Sequence, residues 1–189
     1  MRFIIISVPP EPLYGELRSL QAFFSAESGA REALRYPPHI TLRTGLLCPD
    51  EAAEKAAHAF LEHAGRVGSA EVRSKGPVAS GYRDSGGVER GFLGYPVEPT
   101  EHLMKLHQGL LAFEPWRKGP QGSFEPHISL CYQDISAAAA KDLLTAHHAR
   151  VESLRPVWEI RSVELWIPVG AVWSFHSKAN LEKQRLFQN

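Results

Sequence analysis

The feature that most constrains this chain is a five-residue motif that occurs twice. The first copy is Pro38-His39-Ile40-Thr41-Leu42 and the second is Pro126-His127-Ile128-Ser129-Leu130, so the copies differ only in serine for threonine. An Ala-rich segment of about four helical turns follows each copy, opened by Pro49-Asp50-Glu51 in the first case and by Ser136 in the second. Two units of one supersecondary type predict a two-lobed, pseudo-symmetric fold.

Each copy alternates polar and apolar residues, which is typical of a half-buried β-strand. Side chains on a strand alternate between its two faces, so His39 and Thr41 share one face, opposite the two apolar residues. The second copy places His127 and Ser129 together in the same way. Each unit therefore presents an imidazole and a hydroxyl about 7 Å apart along the strand. If the two units face each other, these four side chains meet in one cleft.

The rest of the chain predicts strands and helices in mixed order. Short β-branched or alternating segments predict strands at 3–8, 71–78, 91–97, 157–167 and 172–175, the fourth with a bulge near Arg161-Ser162. Apolar residues at helical spacing predict helices that begin near Pro12 and after a cap at Thr100, while 25–31 and 114–123 predict loops. We expect an α/β (α+β) fold: two pseudo-symmetric lobes, each an antiparallel-rich sheet with helices on its outer face, enclosing a central cleft. The whole chain, 1–189, is expected to form this one domain.

Charge and composition narrow the classes of function. The chain has 21 Lys and Arg against 21 Asp and Glu, which disfavours a protein that binds nucleic acid mainly by neutralising phosphates. Two cysteines, Cys48 and Cys131, cannot form a disulfide framework and indicate a reducing compartment. The sequence shows no signal peptide and no apolar run of membrane-spanning length. We expect a cytoplasmic monomer with no membrane partner and no stable nucleic-acid complex.

Two imidazoles and two hydroxyls in one cleft suit chemistry at phosphorus. One histidine can take a proton while the other gives one, because both titrate near neutral pH. The hydroxyls of Thr41 and Ser129 can donate hydrogen bonds to the non-bridging oxygens of a phosphate. Since the sequence shows no zinc-type ligand spacing, we expect no cofactor and a reactive substrate such as a strained five-membered cyclic phosphate. The alternative is a structural role, in which both histidines cap strand ends or satisfy buried backbone groups.

The two motifs resemble those of the 2H phosphoesterases, whose hallmark is a pair of His-x-[Thr/Ser] motifs on strands of two pseudo-symmetric lobes. Residues 126–132, Pro-His-Ile-Ser-Leu-Cys-Tyr, are most similar to the cyclic phosphodiesterase branch, where a tyrosine closely follows the second motif. The resemblance implies an enzyme that hydrolyses the 2′,3′-cyclic phosphate of a nucleotide or RNA end, or ADP-ribose 1″,2″-cyclic phosphate, to a phosphomonoester. It implies that His39 and His127 are the general acid and base, in an order left open, and that Thr41 and Ser129 bind the phosphate.

Four further residues are candidates for substrate binding. Tyr132 lies on the opposite face of an ideal strand, so it reaches the cleft only through a bulge or a strand end, and otherwise packs in the core. Arg43 shares the face of His39 by parity and either binds a phosphate or lies at a solvated strand end. Trp173, in a C-terminal strand, either stacks on a base or packs in the core. Trp116, in the loop before the second motif, is another stacking candidate.

Two other functions would use the same four polar residues. One is an RNA 2′,5′-phosphodiesterase or RNA 2′,5′-ligase-like enzyme acting on oligonucleotides, although that branch often has an aromatic or apolar residue at the position of Arg43. The other is a nucleotide or RNA-end binding module without catalysis. Turnover of 2′,5′-linked dinucleotides but not of cyclic mononucleotides would favour the first, and tight binding without product would favour the second.

Overall fold

The computed structural model describes residues 2–46, 50–84, 86–112, 124–169 and 172–181. The strands are β1 (Arg2–Ser7), β2 (Ile40–Leu46), β3 (Ala70–Arg73), β4 (Val78–Arg83), β5 (Glu89–Pro96), β6 (His127–Tyr132), β7 (Val157–Ile160), β8 (Ser162–Val169) and β9 (Val172–Asn180). The helices are α1 (Leu13–Ser28), α2 (Asp50–Gly65), α3 (Glu101–Leu111) and α4 (Ala137–Glu152), with a 3₁₀ turn at Glu32–Arg35. Over the described residues, no helix has the length and apolar character needed to cross a membrane.

Seven strands form one antiparallel sheet in the order β4-β5-β6-β2-β1-β8-β9, and β3 pairs with β7 in a separate two-stranded sheet. The junction between β2 and β6, which carry the two motifs, is the antiparallel pair of Ile40 with Ile128. These residues occupy the same position in the repeated motif, so the two halves of the sheet are related about this pair. The α+β fold predicted from the sequence is confirmed, and its two halves join edge to edge in the large sheet.

The helices cover the apolar face of this sheet. Helix α1 packs on β6 and α4 on β4 and β5, while α3 packs on β2 and α2 on β9. Ile40 and Ile128 are fully buried beneath this layer, as are Leu17 and Phe24 from the apolar stripe of α1. The polar residues of the two motifs therefore lie on the face that the helices leave open.

Two helix caps agree with the sequence prediction, whereas several boundaries of helices and strands differ from it. Thr100 accepts a hydrogen bond from the amide of Leu103, and Ser136 caps α4 in the same way, as predicted. Helix α1 continues through Ser28, where a loop was expected, and ends at Gly29 with φ 75°.

The C-terminal strands also differ from the sequence prediction. The segment 157–167 is two strands rather than one bulged strand: β7 pairs with β3, and β8 pairs with β1 and β9. Strand β4 was not predicted, because Ser80 and Gly81 at its centre give it a weak apolar pattern. The predicted last strand is real but extends to Asn180, since it pairs with β8 along its whole described length.

Candidate active site

Two β-bulges at equivalent positions shape the open face of the sheet. In β2, Thr41 and Arg43 pair with adjacent residues of β1, so Leu42 is an extra residue. In β6, Leu130 is the extra residue opposite adjacent residues of β5. Each bulge shifts the alternation of side chains by one residue, so that the strand presents a different set of side chains beyond it. Residues 39–44 and 127–132 accordingly share one pattern of burial, in which the fourth and fifth residues of each segment are both buried.

The bulges settle the placement of two candidate residues. Tyr132 returns to the face of Ser129 and lines the cavity described below. Arg43 turns to the opposite side, where it is 4% exposed and its guanidinium donates to the carbonyl oxygen of Leu110 at the end of α3. The parity prediction for Arg43 is therefore wrong in both its forms: the side chain is neither in the cleft nor at a solvated strand end.

The open face holds a cavity of about 630 Å³ that brings the two motifs together. Its lining includes His39, Thr41, His127 and Ser129. Since Ile40 lies opposite Ile128 in antiparallel register, each histidine of one strand is directed toward the hydroxyl of the other. Both imidazoles line this one cavity, and besides burial the charge of a protonated His127 lowers the pKa of His39.

Both imidazoles are held by the same local hydrogen bond. Nδ1 of His39 lies 2.7 Å from the carbonyl oxygen of Pro37, and Nδ1 of His127 lies 2.8 Å from that of Glu125. A carbonyl oxygen only accepts, so Nδ1 carries the proton in both rings and Nε2 is the nitrogen left for the cavity. The proline between each histidine and its acceptor, at positions 38 and 126, has a fixed φ that holds the turn in this shape. In both histidines Nε2 is therefore the nitrogen available for proton transfer.

Burial lowers the pKa of His39 below that of an ordinary histidine. Removal of its ring from water lowers the pKa of His39 from 6.5 to about 4, against a smaller opposing effect of the hydrogen bond to Pro37. The charged form of an imidazole loses more than the neutral form when water is excluded. His39 is therefore neutral at pH 7, with a lone pair on Nε2.

This lowered pKa predicts a pH-dependent stability. Between about pH 6.5 and pH 4 the unfolded chain binds a proton at His39 that the folded chain does not, so acidification through this window destabilises the fold. Above pH 6.5 the free energy of unfolding no longer depends on the protonation of His39. Below it, the free energy of unfolding falls by at most about 1.4 kcal/mol per pH unit on this account. Urea denaturation of the wild type and of His39→Gln between pH 4 and 7.5 measures it. We expect a flatter dependence for His39→Gln, and parallel curves would contradict the burial effect.

Aromatic residues form the wall of the cavity beside His39. The ring of Tyr36 lies 5.7 Å from that of His39 and 6.0 Å from that of Trp173, between ring centroids. Burial raises the pKa of Tyr36 to about 12, so its hydroxyl stays protonated and can donate. Trp173 thus faces the cavity and not the core, while Trp116 lies outside the described residues.

The lining residues that sequence reasoning missed include Tyr36, Gln21 and Gln133, of which the first two left a signal in the sequence. Tyr36 precedes His39 by three positions, as Phe124 precedes His127, so the internal repeat begins earlier than the five-residue motif. Gln21 occupies an apolar position of the α1 stripe, and its side-chain nitrogen donates to the carbonyl oxygen of Ser129 at 2.9 Å. Gln133, directly after β6, has φ 67°, which is a left-handed conformation. No local pattern in the sequence indicated it.

The polar groups of the cavity do not resemble a cation site. Within the described residues, no group of three or more His, Cys, Asp or Glu side chains is arranged to hold a metal ion. The polar groups that face the cavity include imidazoles, hydroxyls and amides, which suit a phosphate better than a hard cation such as Mg²⁺ or Ca²⁺.

Comparisons with known proteins identify the family and the fold. The family model described as the 2′-5′ RNA ligase superfamily matches residues 9–171. No curated protein matches the sequence. Among solved structures, TT0787 of Thermus thermophilus has a TM-score of 0.62 and 18% sequence identity, covering 97% of this chain and 100% of that chain.

Two further structures share the fold. E. coli LigT complexed with 3′-AMP has a TM-score of 0.57 and 18% identity, covering 96% of this chain and 98% of that chain. Usb1 of Kluyveromyces marxianus has a TM-score of 0.51 and 12% identity, covering 92% of this chain and 96% of that chain. At these identities the likeness concerns the fold.

Proposed function

This chain belongs to the 2′-5′ RNA ligase superfamily of 2H phosphoesterases, and from that premise we propose that it hydrolyses a cyclic phosphodiester of a nucleotide or RNA end to a phosphomonoester. Membership supports a phosphoesterase that processes phosphodiesters. The observation that carries the finer proposal is the pair of imidazoles, each fixed with Nε2 free, in one cavity with two hydroxyls. That set can move two protons and bind one phosphate, which is what hydrolysis of a cyclic phosphate requires.

The reaction is an in-line displacement at phosphorus. Nε2 of His39 takes a proton from water as the water oxygen bonds to phosphorus, and the bond from phosphorus to one ring oxygen breaks. Nε2 of the protonated His127 gives its proton to that leaving oxygen, which becomes a hydroxyl. Thr41 and Ser129 donate hydrogen bonds to the non-bridging oxygens, where negative charge is concentrated. The products are a phosphomonoester and a free hydroxyl on the same sugar.

The assignment of His39 as base and His127 as acid rests on their different surroundings. The buried ring of His39 is neutral at pH 7 because its pKa is about 4. The Nδ1 hydrogen bond of His127 is exposed, whereas that of His39 is partly buried. The neutral ring suits proton acceptance and the solvated ring suits proton donation.

A direct assay tests the proposal. The protein is incubated with each nucleoside 2′,3′-cyclic monophosphate and with ADP-ribose 1″,2″-cyclic phosphate, and phosphorus NMR identifies the monoester formed. We expect turnover of at least one of these compounds. Absence of product from all of them would refute cyclic phosphodiesterase activity.

The same assay in EDTA tests the role of metal ions. Because the proposed steps use only imidazoles and hydroxyls, we expect kcat to stay within about twofold of its value without chelator. Loss of activity in EDTA that is restored by added Mg²⁺, Mn²⁺ or Zn²⁺ would show that the reaction needs a divalent cation.

The second candidate is a 2′,5′-phosphodiesterase or 2′,5′-ligase-like activity on oligonucleotides, favoured by the family model that the chain matches. The four polar residues would serve the same roles on a linear linkage. The discriminating substrates are dinucleotides with a 2′,5′ linkage and their 3′,5′ counterparts. Turnover of the 2′,5′ compounds together with inertness of the cyclic mononucleotides would favour this candidate.

A further inference from the structure

Gln21 is a buried polar residue on a helix stripe that otherwise carries apolar side chains. Leu17, Leu20 and Phe24 of α1 are buried on the same side of the helix, and Gln21 is only 3% exposed among them. A buried amide is costly unless its hydrogen-bonding groups find partners within the protein. Gln21 also lines the cavity that holds the two motifs, so the identity of its partners bears on the site.

Both ends of the Gln21 amide are occupied. Its Oε1 accepts a hydrogen bond from Nη1 of Arg18 at 3.1 Å, and its Nε2 donates to the carbonyl oxygen of Ser129 at 2.9 Å. A guanidinium only donates and a carbonyl oxygen only accepts, so one orientation of the amide satisfies both neighbours. Arg18 therefore holds the amide nitrogen of Gln21 toward β6.

The carbonyl oxygen of Ser129 lies where the pairing of β6 with β2 has ended. The ladder between these strands is the pair of Ile40 with Ile128, and in the described part of the chain it does not continue to Ser129. The approach to β2 contains Pro37 and Pro38, which have no N–H to donate to a neighbouring strand. Helix α1 supplies the donor instead.

The backbone at Ser129 decides where its hydroxyl points. The bulge at Leu130 follows directly, and a bulge disrupts the ladder locally. Since the Cβ atom is fixed by the backbone, a carbonyl group held in place also holds the origin of the side chain. The position matters, because a displacement of about 1 Å in a group at a reacting centre can cost about 10²-fold in rate.

The first motif has a matching contact. Nδ1 of His107, on α3, donates to the carbonyl oxygen of Leu42, the extra residue of the bulge in β2, at 2.6 Å. Helix α3 packs on β2 as α1 packs on β6. In each half, a side chain from the helix that covers the motif strand thus holds a backbone carbonyl at the bulge. The two halves share the motif and also the way in which its bulge is held.

Arg18 extends the contact at Ser129 to the opposite wall of the cavity. Its guanidinium also donates to the carbonyl oxygens of Leu34 and Tyr36, at 3.0 Å and 2.9 Å. The ring of Tyr36 lines the same cavity as Ser129. One hydrogen-bonded path therefore runs from Tyr36 through Arg18 and Gln21 to Ser129, and it joins the two halves of the site on the helix side of the sheet.

We propose that Gln21 is a positioning residue: by holding the carbonyl oxygen of Ser129, it sets the hydroxyl of Ser129 against the phosphate of the substrate. The inference rests on the proposed function, because it takes Ser129 to donate to a non-bridging oxygen. That hydrogen bond counts most in the transition state, where negative charge develops on those oxygens. Loss of the contact from Gln21 should therefore lower kcat and leave KM little changed.

The test is a double-mutant cycle on the cyclic nucleotide that the wild type turns over fastest. Gln21→Met keeps a side chain of similar length but cannot donate, and it should lower kcat about 10-fold with KM within about twofold of the wild type. In a Ser129→Ala background the hydroxyl is already absent, so Gln21→Met should change kcat by less than about twofold. In a Thr41→Ala background the loss should stay at about 10-fold, because Gln21 does not hold the first motif.

The matched control is Gln108→Met, the same change at an exposed position of α3, which should keep wild-type kcat and KM. An unchanged kcat in Gln21→Met, or a 10-fold loss that persists in the Ser129→Ala background, overturns the positioning role while the cyclic phosphodiesterase activity stands. A wild type that turns over no cyclic phosphate overturns the proposed function, and the inference with it.

A second variant covers the case in which Gln21→Met does not fold by circular dichroism. Gln21→Glu keeps the volume and the acceptor that faces Arg18, but a carboxylate at neutral pH cannot donate to the carbonyl oxygen of Ser129. The inference requires Gln21→Glu to show the same losses, including their disappearance in the Ser129→Ala background. Wild-type kcat in Gln21→Glu would overturn it.

Discussion

Glutamine in place of either His39 or His127 should lower kcat for a cyclic phosphate by about 10²–10⁴-fold, the usual contribution of one proton-transfer group. Glutamine keeps a polar side chain of similar length but cannot exchange a proton at neutral pH. Because the two histidines act in one step, the double variant should lose much less than the product of the two single losses. Steady-state kinetics on the best cyclic nucleotide measures all three variants.

The pH profiles of these variants also test which ring is base and which is acid. A base must be deprotonated to act, so His39→Gln should remove the fall in kcat/KM at low pH. An acid must be protonated, so His127→Gln should remove the fall at high pH. The wild-type profile should be bell-shaped, with apparent values that belong to the coupled pair.

The control for this series is His176→Gln, an exposed histidine on β9 whose Nδ1 lies 2.9 Å from the hydroxyl of Ser177. The His176→Gln variant should keep wild-type kinetics, because His176 is not among the residues that line the cavity. Turnover close to that of the wild type in either His39→Gln or His127→Gln would overturn the paired acid–base mechanism. Interchanged pH effects would retain the mechanism and reverse the two roles.

Gly94→Ala should destabilise the fold by about 3 kcal/mol, at the upper end of typical overpacking effects. A Cβ at this position would lie 2.1 Å from the carbonyl oxygen of Ile128 and 2.7 Å from Cζ of Phe92. The first of these atoms belongs to the backbone of β6 beside the Leu130 bulge, so the strand itself would have to move. For a domain of this size the melting temperature should fall by about 10 °C.

The same substitution should also reduce activity, because the displaced strand carries His127 and Ser129. Gly76→Ala is the matched control: a Cβ there would meet its nearest neighbour, a side-chain oxygen of Glu152, at 3.5 Å, an ordinary contact. The melting temperature and the steady-state kinetics of both variants measure the two expected losses, of stability and of activity. A Gly94→Ala protein as stable as Gly76→Ala would show that the close packing of β5 on β6 does not constrain the site.

The face that carries the polar residues of the two motifs could be anticipated from the sequence because alternation along a strand is a local property. The repeated motif was enough to place each histidine with its hydroxyl and to predict the α+β fold of two related halves. The family resemblance drawn from those motifs is confirmed by the match to the 2′-5′ RNA ligase superfamily over residues 9–171. The roles of the individual residues and the substrate remain predictions.

The placement of Arg43 and Tyr132 depended on information that their own segments do not contain. Their side chains follow bulges, and a bulge is defined by the register against a partner strand that is distant in the sequence. Simple alternation along the strand predicted Arg43 in the cleft. The bulge in β2 instead turns Arg43 to the core, and the bulge in β6 brings Tyr132 to the cavity.

The sequence by itself determined which side chains share a face, because that follows from the geometry of one extended segment. Only the tertiary structure decided how the two segments meet, through the pair of Ile40 with Ile128, and that burial lowers the pKa of His39. Both depend on contacts between residues far apart in the chain. The physical reason is that burial and register are properties of packed neighbours, which a local pattern of residues does not specify.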